Sequence, residues 1–248
     1  MNPYAEFWEP YQGVVSLTFD DGRPTQLEHA IPMMDAHGLR GTFYLCPGGD
    51  DWRERLEPWV AVAQRGHEIG NHTISHPSPR NLSPETGRAY DDLDLGEIER
   101  EIVSARERLG EIAPHQTAWT FCYPCYHTHV GFGPTRQSYI PVVEKHCVAG
   151  RGKGEYGQGN CPDAVDLGFV YGLPCERMSA WEMIGLVEDL AVGKGRWVVL
   201  VFHDISGDRL STSRFDFEQL CAYLERRRDV VRCAPVIDVA VEIRASRE

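Results

Sequence analysis

The stretch Val14–Gly22, V-V-S-L-T-F-D-D-G, joins an apolar, β-rich run to two acidic residues and a glycine. The apolar run predicts a buried strand, because β-branched and aromatic residues favour that conformation. Pro24 then opens a segment in which Leu27, Ile31 and Met34 recur at helical spacing. The stretch and its continuation therefore predict a strand, a loop and a helix in that order.

The same alternation continues along the chain. Further strands are predicted over residues 41–46, 67–70, 117–123, 165–173, 198–202 and 230–236, with a shorter candidate at 147–149. Further helices are predicted over 52–64, 180–190 and 215–227 and at the C-terminus. Between the strands, Gly150–Gly159 is rich in glycine and is predicted to be a long loop.

Two of the predicted helices carry capping signals. Ser83 and Pro84 have the residue types of an N-cap and a first helical position, and Ser179 with Glu182 forms a capping box. An apolar stripe with spacings of three and four residues follows the first of these caps: Leu95, Ile98, Ile102, Ala105 and Leu109. The capped, striped segment is the most distinct helix of the sequence.

Repeated strand–helix units predict an α/β fold with a mainly parallel sheet and helices outside it. The sheet is either a closed barrel or an open, doubly wound sheet. No repeat or compositional break divides the sequence, so we expect one domain over residues 1–248.

Composition and charge exclude several classes of protein. The chain has 248 residues, of which 42% are apolar and 25% charged, as in ordinary globular proteins. Its net charge of −12 disfavours nucleic acid and anionic membrane surfaces as partners, and its apolar runs are too short for a transmembrane helix. The first residues resemble no secretory signal, so we expect a cytoplasmic protein whose eight cysteines are reduced.

Polar residues gather where the predicted strands end. In both candidate folds the chemistry collects at the carboxyl ends of the strands. Six candidates lie there: Asp20, Asp21, His72, His76, Tyr123 and His203. The sequence therefore predicts a polar site at this edge of the sheet.

These residues also have structural interpretations. Asp21 and Gly22 have the composition of a common turn. His72 and His76, four residues apart, either lie on the surface or bind one ion from a helical turn or a tight loop, with a carboxylate as third ligand of a zinc site. His203 is either a buried histidine bonded to the backbone or a general acid.

Cys122 and Cys125 form a C-x-x-C pair that is followed by His127 and His129. A structural zinc site normally draws its ligands from two separated segments, so packing or loop cysteines are the favoured interpretation. The sequence has no P-loop, strand-linked G-x-G-x-x-G or G-x-S-x-G motif. Nucleotide-dependent and α/β-hydrolase functions are therefore disfavoured.

Three motifs together resemble the polysaccharide deacetylase family of the NodB type, carbohydrate esterase family 4. They are T-F-D-D-G at Thr18–Gly22, H-T-I-S-H at His72–His76 and V-F-H at Val201–His203. The resemblance extends over about Val14–Val241. It implies a distorted (β/α) barrel of about seven strands that removes acetyl groups from acetylated sugars, with N-deacetylation as the first expectation. It also implies one divalent metal ion, with zinc expected first and cobalt or another first-row metal as alternatives.

The resemblance also implies roles for individual residues. Asp21, His72 and His76 match the metal ligands, Asp20 matches the general base, and His203 matches the general acid. Tyr123 matches a position in the pocket wall. The chemistry of amide hydrolysis adds a need for a stabilised oxyanion, for which we expect a backbone amide near Cys125.

One motif departs from the family pattern. F-C-Y-P-C-Y at Phe121–Tyr126 stands where the family has an F-R-P-P-Y-G-like segment, so Cys122 occupies the position of an arginine that holds the catalytic base. A base beside a divalent cation needs a partner to set its orientation and pKa. We expect Arg151, or failing that Arg177, to supply the missing guanidinium.

Three functions follow from these observations. The first is a metal-dependent deacetylase of an acetylated carbohydrate. The second is a cytosolic amidohydrolase acting on a small amide or ureide, and the third is an inactive, carbohydrate-binding relative. The expected partner is accordingly an acetylated sugar or a small amide, with no nucleic acid and no membrane, while an oligomer is left open.

Overall fold

The described part of the chain contains seven parallel strands that close into a barrel. The computed structural model describes residues 3–4, 6–82, 89–207 and 210–247. The barrel strands are β1 Gly13–Phe19, β2 Thr42–Leu45, β3 Glu68–Asn71, β4 Thr120–Cys122, β5 Ala149–Lys153, β6 Val170–Pro174 and β7 Trp197–Phe202. They pair in chain order, and β7 also pairs with β1, so the sheet closes. An eighth strand, β8 at Val231–Cys233, pairs with the first residues of β1. The predicted barrel of about seven strands is confirmed.

Helices surround the barrel. They are α1 Ile31–Ala36, α2 Trp52–Leu56, α3 Pro58–Gln64, α4 Leu95–Ile112, α5 Ile140–His146, α6 Ala180–Leu186, α7 Arg214–Arg226 and α8 Val236–Ala245. Two π-helical segments, Gln26–Ala30 and Val187–Val192, precede α1 and follow α6. Short two-residue strands pair Asp204–Ile205 with Ser211–Thr212 and His129–Val130 with Gln137–Ser138. No described helix is both long enough and apolar enough to cross a membrane.

The longest described helix, α4, begins later than predicted. The predicted cap at Ser83 and Pro84 lies outside the described residues. Asp94 is the N-cap of α4, because its side chain accepts a hydrogen bond from the Glu97 amide while the Glu97 carboxylate accepts one from the Asp94 amide. The apolar stripe itself is confirmed, since Ile98 and its successors along the stripe are buried.

Two other boundaries differ from prediction. The helix predicted over 52–64 is divided between α2 and α3, because Pro58 has no amide hydrogen with which to continue the first helix. The segment predicted as a glycine-rich loop begins with strand β5, and Arg151 lies in the middle of that strand. A Cβ added at Gly150 would lie 2.8 Å from the Tyr123 ring, and one at Gly152 would lie 2.2 Å from the Phe169 ring. The two glycines therefore allow aromatic rings to pack on the outer face of β5.

The alternation of side-chain directions along β1 and β7 sets the direction in which the residue after each strand points. Phe19 and Phe202 stack with ring centroids 5.3 Å apart, and both contact Phe217 of α7 outside the barrel. Because successive side chains of a strand point to opposite faces, Asp20 and His203 point into the barrel mouth. Replacing one of these buried rings with alanine typically costs about 3–5 kcal/mol. The same apolar packing thus stabilises the barrel and orients the polar residues.

Candidate active site

Asp20 and Asp21 follow β1 directly but contact different groups. The Asp20 amide donates to the Phe202 carbonyl, 2.9 Å away, and the buried side chain contacts Arg151. Asp21 has φ of 71° and Gly22 has φ of 62°, so the turn predicted for this pair is present. That turn carries the Asp21 carboxylate to the histidine loop. The turn and the candidate site are therefore one feature.

His72 and His76 lie on a tight loop that follows β3, not on a helix. Thr73 and His76 have φ of 66° and 48°, in the left-handed region that residues with side chains seldom adopt. The loop places both Nε2 atoms 3.4 Å from Asp21 Oδ1. Three potential ligand atoms, one from each of these residues, all lie within 4.8 Å of one another.

The hydrogen bonds of His72 determine which ring nitrogen is free to bind a metal. Its Nδ1 lies 2.9 Å from the carbonyl oxygen of Cys122, which can only accept, so Nδ1 carries the proton. The lone pair of Nε2 then faces Asp21 and His76. Burial and the neighbouring His72 lower the pKa of His76 to about 4, so His76 is neutral at pH 7. His76 is therefore in the form that binds a metal, and the Nδ1 bond of His72 leaves Nε2 as its ligand atom.

Glu101 of α4 holds this loop in place and was not singled out in the sequence. Its buried carboxylate accepts hydrogen bonds from the amides of Ile74 and Ser75, at 3.1 and 2.8 Å, and from the Ser75 hydroxyl at 3.0 Å. Asn71 supports Thr73, the residue before Ile74, since its side-chain oxygen accepts a hydrogen bond from the Thr73 amide at 2.9 Å. A glutamate on the buried face of an amphipathic helix was the available signal.

Replacing Glu101 with alanine is expected to destabilise the protein by about 1–3 kcal/mol, because buried amides of the loop lose their acceptor. For a chain of this size each kcal/mol lowers Tm by about 2–4 °C. Metal affinity should fall as well, since the loop carries His72 and His76. Thermal unfolding with and without zinc measures both effects, and Glu107→Ala, at an exposed position of α4, is the control. An unchanged Tm in Glu101→Ala would contradict the assignment.

Arg151 lies beside Cys122, the position at which the family motif has an arginine. Cys122 and Arg151 are directly paired neighbours on β4 and β5. The fully buried guanidinium contacts the Asp20 carboxylate and lies 2.8 Å from Cys122 Sγ. The cysteine side chain is small, so a guanidinium from the adjacent strand occupies the space beside it. Arg177 makes no hydrogen bond or ion pair with Asp20 among the described residues.

The charges around Asp20 keep it ionised. Burial by itself would raise the pKa of this carboxyl, but Arg151, His203 and His72 outweigh burial and lower it. Burial raises the pKa of the Cys122 thiol well above its usual range, so this neighbour is a neutral thiol. Asp20 is thus a carboxylate whose Oδ1 is held by one cation, while Oδ2 accepts a long bond of 3.6 Å from the Cys122 thiol and faces His203.

His203 lies between two carboxylates. Its Nε2 is 3.7 Å from Asp20 Oδ2, and its Nδ1 is 3.2 Å from Glu176 Oε1. Burial alone would lower the pKa of His203, but Glu176, Asp20 and Asp21 outweigh burial and raise it, which favours the imidazolium. Glu176 was not singled out in the sequence, where it is one acid among many in a loop.

Gln26 fixes the two strand ends relative to each other. Its buried side-chain amide donates to the backbone carbonyls of Asp20 and His203, at 2.6 and 2.8 Å. One side chain therefore links the two positions that were predicted to be base and acid. This residue also gave no signal in the sequence.

The remaining predicted residues lie in different surroundings. Tyr123 is fully buried and donates to the Gly168 carbonyl at 2.6 Å, so its hydroxyl lies outside the barrel and not in the pocket wall. Cys125 is partly buried on a turn with φ of 52°. Its neighbour Tyr126 lies over Arg151, with the guanidinium carbon 5.6 Å from the ring. Tyr126, not Tyr123, is the tyrosine at the mouth.

The ligand clusters of the described residues favour Asp21, His72 and His76 as a metal site. A second cluster, formed by Asp20, His72 and Cys122, shares one histidine with the first. In this second cluster, Asp20 already contacts Arg151 and Cys122 is a neutral thiol. Neither cluster contains Cys125 or the two histidines that follow it, and all eight cysteines are free thiols. Away from both clusters, a cavity of about 620 Å³ opens near Glu68. None of the predicted site residues lines it.

Known proteins share both sequence and fold with this chain. Residues 9–128 match the sequence model of the polysaccharide deacetylase family. A peptidoglycan-N-acetylglucosamine deacetylase of Bacillus cereus is 31% identical over 122 residues, which cover 46% of this chain and 42% of that protein. The chain spans less than half the length of the curated relatives it matches.

Two solved structures have the same fold over nearly the whole chain. Peptidoglycan deacetylase PdaC from Bacillus subtilis superposes with a TM-score of 0.58 at 17% identity, covering 96% of this chain and 95% of its own. A family 4 acetyl xylan esterase from Clostridium thermocellum, solved with a cobalt ion, gives a TM-score of 0.58 at 17% identity, covering 92% and 90%. Residues 9–128 are therefore similar in sequence to the polysaccharide deacetylases, and the chain as a whole has the fold of these two structures.

Proposed function

We propose that the protein is a metal-dependent hydrolase that removes acetyl groups from an acetylated carbohydrate, with the N-acetyl amide as its principal target. The observation that carries the proposal is the convergence of three groups at one barrel mouth. These are the donor set of Asp21 and two histidines, the Asp20 carboxylate held by Arg151, and the His203 imidazole beside Glu176. Hydrolysis of an acetamide requires an activated water, a stabilised oxyanion and a protonated leaving nitrogen.

Asp21, His72 and His76 would hold one divalent ion. Two neutral imidazoles and one carboxylate suit zinc first, with cobalt or another first-row metal as alternatives. Such an ion, when bound, acts as a Lewis acid toward a carbonyl oxygen and lowers the pKa of water. The fit rests on the protonated Nδ1 of His72 and on the distances among the three donors.

The proton transfers are assigned to two other side chains. Asp20 accepts a proton from the attacking water, because Arg151 stabilises its ionised form. His203 donates the proton on Nε2 to the departing nitrogen, and Glu176 stabilises the imidazolium before transfer. At 3.7 Å, the acid and the base are close enough to act on neighbouring atoms of one substrate. A backbone amide of the turn at Cys125 is proposed as an oxyanion donor.

The metal assignment predicts that His76→Ala loses most of its bound metal. One of three ligands is removed, while the loop keeps its bonds to Glu101. Elemental analysis of purified protein and calorimetric titration with zinc measure the loss. His115→Ala removes an exposed histidine and is the matched control. Equal zinc content in the two variants would exclude His76 as a ligand.

A product screen separates the proposed activity from its alternatives. Zinc-loaded protein is incubated with acetylated chitooligosaccharides, acetylated xylan and small amides or ureides, and the products are assayed for acetate and ammonia. Acetate from the N-acetylated sugars supports the proposal, and acetate from xylan alone assigns an esterase. Ammonia without acetate would replace it with an amidohydrolase. Sugar binding without any product would indicate an inactive, carbohydrate-binding relative. The predicted cytoplasmic location stays a prediction.

A further inference from the structure

A pocket of about 460 Å³ opens beside the His203–Glu176 pair. The residues that line it are Tyr126, Lys153, Pro174, Glu176, Arg177 and Leu210. The volume is typical of small-molecule sites. Because Glu176 both lines this pocket and contacts His203, the pocket adjoins the proposed general acid.

Two cations of this pocket have no carboxylate partner among the described residues. Lys153 ends strand β5 and lies two residues after Arg151, so it points to the same side of the strand, nearer the mouth. Arg177 is exposed in the loop after β6 and has φ of 61°, while its amide donates to the Ser211 carbonyl at 2.9 Å. The backbone of this loop is therefore held, and the described residues give the guanidinium no ionic partner.

Three acidic groups near the barrel mouth are already engaged. Glu176 contacts His203, Asp20 contacts Arg151, and the Asp204 carboxylate accepts from the Thr25 hydroxyl at 2.7 Å. Two unpaired cations at one pocket contrast with the net charge of −12. Among the described residues, the buried Tyr126 hydroxyl has no hydrogen-bond partner.

We propose that Lys153 and Arg177 form a subsite for an anionic group of the substrate, so that the protein acts on an acetylated sugar that also carries a negative charge. The proposal rests on the hydrolase function assigned above. A guanidinium binds a carboxylate or a phosphate through two parallel hydrogen bonds, and an ammonium adds a point charge.

Binding of four related monosaccharides to the zinc-loaded protein tests the subsite. The probes are N-acetylglucosamine, its C6-oxidised uronic acid, N-acetylmuramic acid and N-acetylglucosamine 6-phosphate, titrated by calorimetry and ligand-observed NMR. At least one anionic probe is expected to bind about tenfold more tightly than the neutral sugar, as charged hydrogen bonds allow. The preferred probe then distinguishes a carboxylate from a phosphate, and the preference should weaken with added salt.

The variants Lys153→Met and Arg177→Met, alone and combined, should remove this preference. Lys145→Met and Arg228→Met, whose side chains pair with Glu99 and Glu225 elsewhere, are the controls and should retain it. The subsite is wrong if no anionic probe binds better than N-acetylglucosamine, or if the preference survives in the double variant. Acetate release, measured separately, distinguishes the two proposals. If the protein prefers anionic probes but releases no acetate, the subsite stands and the hydrolase function is wrong. If it releases acetate but shows no preference for anionic probes, the hydrolase function stands and the subsite is wrong.

Discussion

Asp20→Asn is expected to lower kcat by about 10²- to 10⁴-fold, the usual contribution of a positioned general base. An asparagine keeps the shape of the side chain but cannot take the proton from water. Bound zinc should stay at the wild-type level, because the three proposed ligands are Asp21 and the two histidines. Acetate release under saturating substrate, together with elemental analysis, measures the two effects. A variant that turns over at the wild-type rate would remove Asp20 from the mechanism.

The pH dependence of the wild type follows from the same assignment. The pKa of Asp20 is lowered and that of His203 is raised, so the ionised base and the protonated acid coexist over a wide interval around neutrality. The value of kcat/KM should fall at low pH as Asp20 gains a proton and at high pH as His203 loses one. Because the two groups are coupled, the two limbs belong to the pair. His203→Ala should lose the alkaline limb together with most of the activity and should keep its metal.

Arg151→Met is expected to have the largest effect on stability, about 3–5 kcal/mol, because it leaves the Asp20 carboxylate buried without its cation. Activity near neutral pH should fall by roughly 10- to 100-fold, as for other groups that support a site without contacting the reacting atoms. The acidic limb of kcat/KM should move to higher pH, since the cation that lowers the pKa of Asp20 is gone. Chemical denaturation and pH–rate profiles measure these changes.

Two further variants keep this prediction testable if Arg151→Met does not fold. Arg151→Lys retains the charge and should retain more stability, but it loses the planar guanidinium that bridges Asp20 and Cys122. Arg177→Met should leave the acidic limb in place, because its guanidinium makes no contact with Asp20 among the described residues. An unshifted acidic limb in a folded Arg151 variant would show that another group sets the pKa of Asp20.

Several features of the site follow directly from local sequence. The apolar residues of β1 and β7 predict two buried strands, and the polar residue after each strand lies at the barrel mouth. The H-x-x-x-H spacing predicts a shared ion, although a helical turn and a tight loop fit the spacing equally well. Only the structure selects the loop, because Asn71 and Glu101 bind its amides from β3 and α4.

Strand β5 shows why part of the site could not be predicted. G-R-G-K at Gly150–Lys153 has the composition of a loop, and glycine weakens a strand when it is judged by propensity alone. Here the two glycines face the rings of Tyr123 and Phe169, while the side chains of Arg151 and Lys153 point to the inner face of the strand. The propensity rule fails because it does not include the aromatic side chains that pack on the outer face.

The sequence by itself determined the strand–helix alternation, the buried strands and the polar candidates at the strand ends, because hydrophobic periodicity and residue chemistry are local properties. The roles of these candidates came from the resemblance to a known family. Tertiary structure decided between Arg151 and Arg177 as the partner of Asp20, and it supplied the partners that the sequence did not suggest. Arg151 meets Asp20 across 131 positions of sequence, and Glu176 meets His203 from the neighbouring strand end. Gln26 and Glu101 likewise bond to backbone groups outside their own elements, namely the Asp20 carbonyl and the Ser75 amide. These contacts exist only once the barrel is closed, since pairing of β4 with β5 and of β6 with β7 brings distant side chains together.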